Sequence, residues 1–533
     1  MWYKSLLITF LIIAYAIQGQ GRSDHTEGDY LNKFFRDQFA EKSPHLDISY
    51  DEQKGFHTIQ RSEYISRAEA LINIPDHYAI SAWDDFDLKR EILTTLLDDQ
   101  ELYKNTDIIA LQYIVFGLRL MLASREIKKS YGLLPQGVLG FTKQEDKHFW
   151  VNVLKYWEQA RVDDLEVWSE DQLAYLYEFA HYQPDQVKSI KSLLQRVVRT
   201  LQRNKRLSRA IGNTTTDLDE LIHWVSVVKS RNHGLDFQLW IDIQGIEESF
   251  GSFKVFKERY QPFQDENLEL NRRFWKNQKV NFLLPLIDMI NHHQPSRANS
   301  AGQAQDLIQF RIDRVMNDGV NFLTIRLDKA FTEEGQEVAY TYNQFMLEPF
   351  VLLKHYGFTV PNNLFSVIGF TIPNGLISIA NQKKSACEEI GCSDIVDLRG
   401  DHSFNLKKHS INRNLLNLLT VEFLKGSEKD IIRAMSEYSA QVNGVLECIK
   451  FYKSSLKSYQ KASFDIERIQ GYNEQLERMK GNDRKTEADL RRKIMVHEVT
   501  LSTKQVVQLN EIYALKRGIH LIWEQLFGYL SSP

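Results

Sequence analysis

Two stretches of this chain hold residue types able to do chemistry at a shared surface. The first reads Leu284-Pro285-Leu286-Ile287-Asp288-Met289-Ile290-Asn291-His292, an apolar run that breaks into a carboxylate, an amide and an imidazole. Such a break is expected where a buried strand ends and its next side chains must bond a ligand or the adjoining backbone. The second reads Gly335-Gln336-Glu337-Val338-Ala339-Tyr340-Thr341-Tyr342, with Tyr356-Gly357-Phe358 beyond it. A turn followed by a short alternating strand aims Tyr340 and Tyr342 at one face, because strand side chains repeat every two residues. That face is expected to line a pocket.

Other uses of the same residues compete with that reading. Asp288, His292 and His293 fall close together, but no third histidine lies at a spacing the sequence ties to them, so a metal centre is disfavoured. No Gly-x-Ser-x-Gly elbow exists to support a serine hydrolase. Any one of the tyrosines, taken alone, reads equally as a core residue with a hydrogen-bonded tip. Arg231 at the end of a helical pattern reads equally as a cap or surface charge.

The order and spacing of the two stretches resemble the SET-domain methyltransferases, specifically the branch containing the Rubisco large-subunit methyltransferase and the actin-histidine methyltransferase. That branch shows P-L-x-D-M-x-N-H, then G-E-x-[VI]-x-x-x-Y, then Y-G-F. Trp224 to Arg231 resembles its upstream helix ending in S/T-R. Ile65 to Pro75, with Glu69 kept, resembles its I-x-x-G-E-x-L-x-x-[IV]-P segment. The resemblance implies an α+β fold: a SET-domain β core with a helical insertion, followed by a mostly α-helical C-terminal domain. It implies a protein N-methyltransferase using S-adenosylmethionine, lysine-directed in first preference and histidine-directed as an alternative. Tyr342 takes the place of the catalytic tyrosine; Arg231, Asp288, Met289, Ile290, Asn291 and His292 that of the cofactor site; Tyr340, Tyr356 and Phe358 that of the substrate channel. A protein substrate is expected to dock on the C-terminal helices. In two places the chain departs from the pattern. Gly55-Phe56-His57 lacks the second glycine of the family's G-x-G, and Asn343 to Leu353 replaces its S-N-A-E stretch. A degenerate SET fold acting as a noncatalytic protein-interaction module is therefore the competing reading.

Composition bounds the partners. At 533 residues the chain is long enough for about three or four domains at roughly 150 residues each. Lys plus Arg total 66 against 70 for Asp plus Glu, a net charge of -4, which offers no general attraction to nucleic acid or anionic lipid. Lys4, the apolar run Leu6 to Ile17 and Ala14-Tyr15-Ala16 have the order of a secretory signal peptide, with an uncleaved anchor as the alternative. The expected location is the secretory pathway or a lumen if that leader works, and the cytoplasm otherwise. Three cysteines make no disulfide framework, although Cys387 and Cys392 could pair in an oxidising lumen. Asn213-Thr214-Thr215 is a glycosylation sequon only if the chain is translocated.

The elements that must position these residues follow from periodicity. Residues 1–20 form the leader; 46–105 the first part of the core, of which 46–97 reads as strands and turns; 106–215 a helical insertion; 216–360 the second part of the core; 361–533 the helical docking domain. Within the insertion, Thr106 to Lys129 has helical spacing, Ser169-x-x-Gln172 makes a capping box, and a further helix starts at Pro184 and closes at Gly212. Ile308, Phe310 and Ile312 alternate into a turn at Asn317-Asp318-Gly319, and Val320, Phe322 and Thr324 return from it. Arg297 to Asp306 reads as a mobile surface loop. Proline is absent between Pro373 and Pro533, which favours helices from about residue 400. The charged run Ser455 to Lys516 is expected to be a helical hairpin projecting into solvent.

Overall fold

The computed structural model describes residues 23–51, 55–82, 88–99, 108–129, 145–160, 162–180, 191–211, 215–236, 279–297, 304–342, 348–361, 363, 365–371, 403–407, 438–457, 462–479 and 483–530. Its helices are α1 (Ser23–Lys42), α2 (Lys89–Asp98), α3 (Ile108–Lys129), α4 (Glu145–Gln159), α5 (Glu170–Ala180), α6 (Lys191–Gln202), α7 (Lys205–Ile211), α8 (Thr215–Arg231), α9 (Pro349–Tyr356), α10 (Tyr438–Lys457), α11 (Ala462–Met479) and α12 (Arg484–Leu530). Its strands are β1 (Leu46–Asp51), β2 (Gly55–Gln60), β3 (Ala70–Pro75), β4 (Ile80–Ser81), β5 (His233–Asp236), β6 (Lys279–Leu283), β7 (Asn291–His292), β8 (Phe310–Asn317), β9 (Val320–Leu327), β10 (Ala339–Tyr340), β11 (Val367–Thr371) and β12 (Ser403–Lys407). The fold is mixed α and β. The chain divides into two compact units, one of Met1–Val162, Ser189–His293 and Ile308–Thr341, the other of Asp163–Lys188, Gln294–Leu307 and Tyr342–Pro533.

The first unit holds small sheets in the orders β1-β2, β3-β9-β8, β4-β6-β5 and β10-β7. The β8–β9 hairpin closes with Asn317 opposite Val320. Asp318 (φ 48°) and Gly319 (φ 77°) both take the left-handed conformation that a two-residue turn needs to match strand twist. Against the sheets lies a helical layer in which α3 buries Ile114, Val115, Phe116, Leu118, Leu120 and Met121 completely. Gly117 lets α3 meet α8 closely: a Cβ there would stand 2.5 Å from Val225 Cγ2 and 3.0 Å from Val225 N. Trp150, Trp157 and Trp224 fill the space between helices and are fully buried. Residues 46–97 are not all strands and turns, since Lys89–Asp98 is helical.

In the second unit α5 starts with the expected capping box. The Gln172 N–H donates to Ser169 Oγ at 3.3 Å and the Ser169 N–H to Gln172 Oε1 at 3.0 Å. Leu165, Trp168, Leu173, Leu176, Leu353, Met495, Val496 and Val499 form one apolar cluster. The charged run does fold as a hairpin of α11 and α12, but it does not project. Asp465, His497, Lys504, Val506 and Val507 are buried, because α12 packs on α5, α10 and α11. An antiparallel pair, β11–β12, interrupts the C-terminal helices. The loop after Arg297 is closed at its ends: Asp306 accepts from Ser296 N–H at 2.9 Å, Ser296 Oγ–H at 2.7 Å and Arg297 N–H at 3.1 Å. The leader, the helix start at Pro184, Gly212, the sequon at Asn213, Cys387 and Cys392 lie outside the described residues. Among the described residues no helix is long and apolar enough to cross a membrane.

Candidate functional site

In the first unit the site starts from a strained residue. Leu286 is fully buried with φ 76°, a left-handed conformation that costs a non-glycine residue about 1–2 kcal/mol. It turns the chain out of its apolar run into a tight helical turn, Ile287–Met289. The next residues then separate by chemistry. Ile287, Met289 and Ile290 bury their side chains in the core, whereas Asn291 and His292 remain half-buried. Any part of Met289 and Ile290 in the expected cofactor site is thereby left to their backbone.

Asp288 is likewise not open to a ligand. Its side chain is 1 % exposed, and its Oδ2 accepts from Arg231 Nη1 at 3.0 Å and from the Trp157 indole N–H at 2.8 Å. Arg231, the last residue of α8, also donates to the Asp288 carbonyl at 3.3 Å and to Tyr156 Oη at 3.1 Å, and its guanidinium lies 5.1 Å from the centre of the Tyr156 ring. Burial pushes the Asp288 carboxyl up from its ordinary range while the Arg231 charge pulls it down. Burial also pushes the Tyr156 phenol up to about 12. Asp288 thus aims and neutralises Arg231. Its partner Trp157 was not legible as part of the site, since only folding brings α4 to this turn.

Strand β7 pairs in parallel with β10, Asn291 opposite Ala339 and His292 opposite Tyr340, and the His293 N–H donates to the Tyr340 carbonyl at 2.8 Å. This pairing joins the two stretches picked out by their residue types. Glu337, not singled out from the sequence although it stands inside the second stretch, accepts from Asn291 Nδ2 at 2.7 Å. The strand ends at Tyr340, so Tyr340 and Tyr342 do not share one ladder. Tyr340 bonds His233 Nε2 through its hydroxyl at 2.9 Å and stacks on Phe310 with ring centres 4.7 Å apart. Tyr340, the residue expected to line a substrate channel, is thus half-buried in the first unit with its hydroxyl and one ring face engaged. Burial pushes the His233 imidazole down to about 4, so it is neutral at pH 7.

The second unit carries an aromatic cluster. The Tyr342 ring lies 5.2 Å from Tyr356 and 6.4 Å from Phe358, and those two lie 6.1 Å apart. Gly357 caps α9 at φ 74°, and a Cβ there would stand 2.6 Å from Asp164 N and 2.7 Å from Asp163 C, so only glycine fits. Beyond Phe358, the Thr359 hydroxyl donates to the carboxylate of Glu498, whose carboxyl burial pushes up. Tyr342, Tyr356 and Phe358 thus share one apolar wall of the second unit.

No family model matches the chain, and no curated protein matches it in sequence. Its structure is similar to the SET domain of LSMT bound to lysine and AdoHcy, at 15% identity and a TM-score of 0.49 over 92% of each chain. It is also similar to Rubisco LSMT bound to AdoMet, at 15% identity and a TM-score of 0.46 over 92% of this chain and 93% of that one. A third similarity is to Rubisco LSMT bound to sinefungin and monomethyllysine, at 15% identity and a TM-score of 0.47 over the same shares.

Proposed function

We propose that this protein is a protein N-methyltransferase dependent on S-adenosylmethionine, with lysine as acceptor. The observation that carries the reading is the parallel β7–β10 pairing, which sets Asn291 and His292 beside the strand that leads into Tyr342. The residues suit the group. Asn291 and His292 are half-buried at the end of an apolar run, and the Arg231 side chain keeps 17 % exposure. An amide and a guanidinium match a moiety that bears both an ammonium and a carboxylate. S-adenosylmethionine, when bound, supplies a methyl group on a sulfonium leaving group.

The chain's task is then placement, because displacement at a methyl carbon by a nitrogen lone pair needs neither a metal nor a covalent enzyme intermediate. The amine must shed a proton before it can attack, and the rings of Tyr342, Tyr356 and Phe358 provide apolar surroundings that penalise the ammonium form. The Tyr342 hydroxyl orients the nitrogen. Once methylated, the acceptor nitrogen would give up its surplus proton to water. A histidine acceptor would need only the right tautomer. The C-terminal helices are the proposed dock for the protein substrate, and a lumenal location is proposed from the leader. Sequencing the mature N-terminus tests the latter, since Met1 retained in a cytosolic fraction would overturn it.

A second reading, a noncatalytic interaction module, is favoured by one feature: Asp288 already neutralises Arg231. Calorimetry separates the two. S-adenosylmethionine should bind the wild type and Tyr342→Phe alike, while Tyr342→Phe loses methyl transfer; absence of binding by the folded wild type leaves the interaction module standing. Mass spectrometry of proteomes with and without the chain should show the added methyl group on lysine, and its appearance on histidine would reassign the acceptor.

A further inference from the structure

We infer that Glu337 is a positioning residue that sets the orientation of the Asn291 amide and so makes the site selective for a ligand carrying a primary ammonium. The inference deepens the methyl-donor reading and rests on it.

An asparagine amide has nearly equal ends in shape, one donating and one accepting, so its orientation follows its neighbours. Glu337 supplies a neighbour of one kind only. An ionised carboxylate accepts and does not donate, so the 2.7 Å contact must be made by the Asn291 NH2, with Oδ1 turned the other way. A bond to a full negative charge is stronger than one between neutral groups, and it polarises the amide so that Oδ1 becomes a better acceptor. An acceptor backed by an anion favours a donor with positive charge, which a primary ammonium provides and a neutral ribose or base does not.

Both partners are held by backbone that does not depend on the contact. Asn291 is paired to Ala339 across β7–β10. Glu337 bridges Ile59 on β2, flanked by the Val338 N–H to Thr58 O bond at 2.9 Å, the Thr58 Oγ1–H to Val338 O bond at 2.8 Å and the Gln60 N–H to Gln336 O bond at 2.8 Å. The carboxylate is thereby aimed from the strand that follows Gly335, while the amide is aimed from the end of the first stretch. A glutamine at 337 could present either end of its own amide, and the selectivity would be weakened.

The test uses the full chain labelled with 15N at asparagine, with the Asn291 side-chain NH2 resonance assigned by its loss in Asn291→Asp. In the ligand-free protein, Glu337→Leu should shift that resonance and narrow the separation of its two protons; an unchanged resonance overturns the inference. Calorimetry then compares S-adenosylhomocysteine, which bears the amino-acid tail, with 5′-methylthioadenosine, which lacks it. Glu337→Leu should weaken the first about tenfold and leave the second unchanged, the loss of one charge-backed hydrogen bond. Glu337→Gln should fall between. Equal loss for both ligands would make Glu337 merely structural and overturn the inference. If the wild type binds neither ligand, the methyl-donor reading falls and the ligand selectivity with it, while the amide resonance still reports whether Glu337 sets Asn291.

Discussion

Among the described residues each unit buries an aspartate against a basic side chain, and the two are completed differently. In the first unit Asp288 Oδ2 takes both Arg231 and Trp157, while Oδ1 has no hydrogen-bond partner among the described residues, and the arginine side chain stays 17 % exposed. In the second unit Asp465 divides its oxygens: Oδ1 faces His497 Nδ1 at 2.9 Å and Oδ2 takes Lys504, with both partners buried. His497 continues through Nε2 to Tyr175 Oη at 2.7 Å, and Tyr175 to Tyr472 Oη at 3.1 Å. The Asp465 cluster closes on itself and locks α5, α11 and α12 together. The Arg231 cluster is less complete, with one Asp288 oxygen unbonded among the described residues and the arginine side chain 17 % exposed. Burial alone therefore does not separate the two clusters; the completeness of their hydrogen bonding does.

The largest effect expected from this difference comes from removing each aspartate. Asp465→Ala strands a buried lysine and should cost about 3–5 kcal/mol in urea unfolding, whereas Asp288→Ala leaves an arginine that reaches solvent and should cost roughly half as much. Equal costs would erase the distinction. Acid gives the next effect. His233 has a folded value of about 4 against an ordinary 6.5, so its contribution is fully present above about pH 6.5 and is lost as pH falls toward 4, amounting to about 3 kcal/mol. Melting followed across that window should show the decline, and His233→Leu should flatten it. The smallest effect contrasts two left-handed backbone positions. Gly357 cannot accept a Cβ, but Ala68 (φ 61°) carries one. Ala68→Gly should relieve about 1–2 kcal/mol of strain against about 0.5–1 kcal/mol of added chain entropy, a net gain of up to about 1.5 kcal/mol in thermal unfolding.

Local features were legible in the residues. The Ser169–Gln172 box and the Asn317-Asp318-Gly319 turn each close within a few residues, so side-chain and backbone preferences decide them without help from the rest of the chain. The charged run after Ser455 was legible as helix but not as buried. Its alternating charges match a solvated face until Asp465 meets His497 and Lys504, which are 32 and 39 residues away. Strand length was misread as well: alternation at Tyr340 and Tyr342 promised one ladder, but the pairing stops at Tyr340.

What the sequence by itself determined is the set of residue types at each candidate site and the short-range turns and helices that present them, because those depend on steric and hydrogen-bond preferences within a few residues. Tertiary structure decided which of them remain available. Folding brought Arg231 against Asp288 across 57 positions and Asn291 against Glu337 across 46. Those pairings turn on where strands and helices pack, and through them one carboxylate became a buried counter-ion while another came to stand behind an amide.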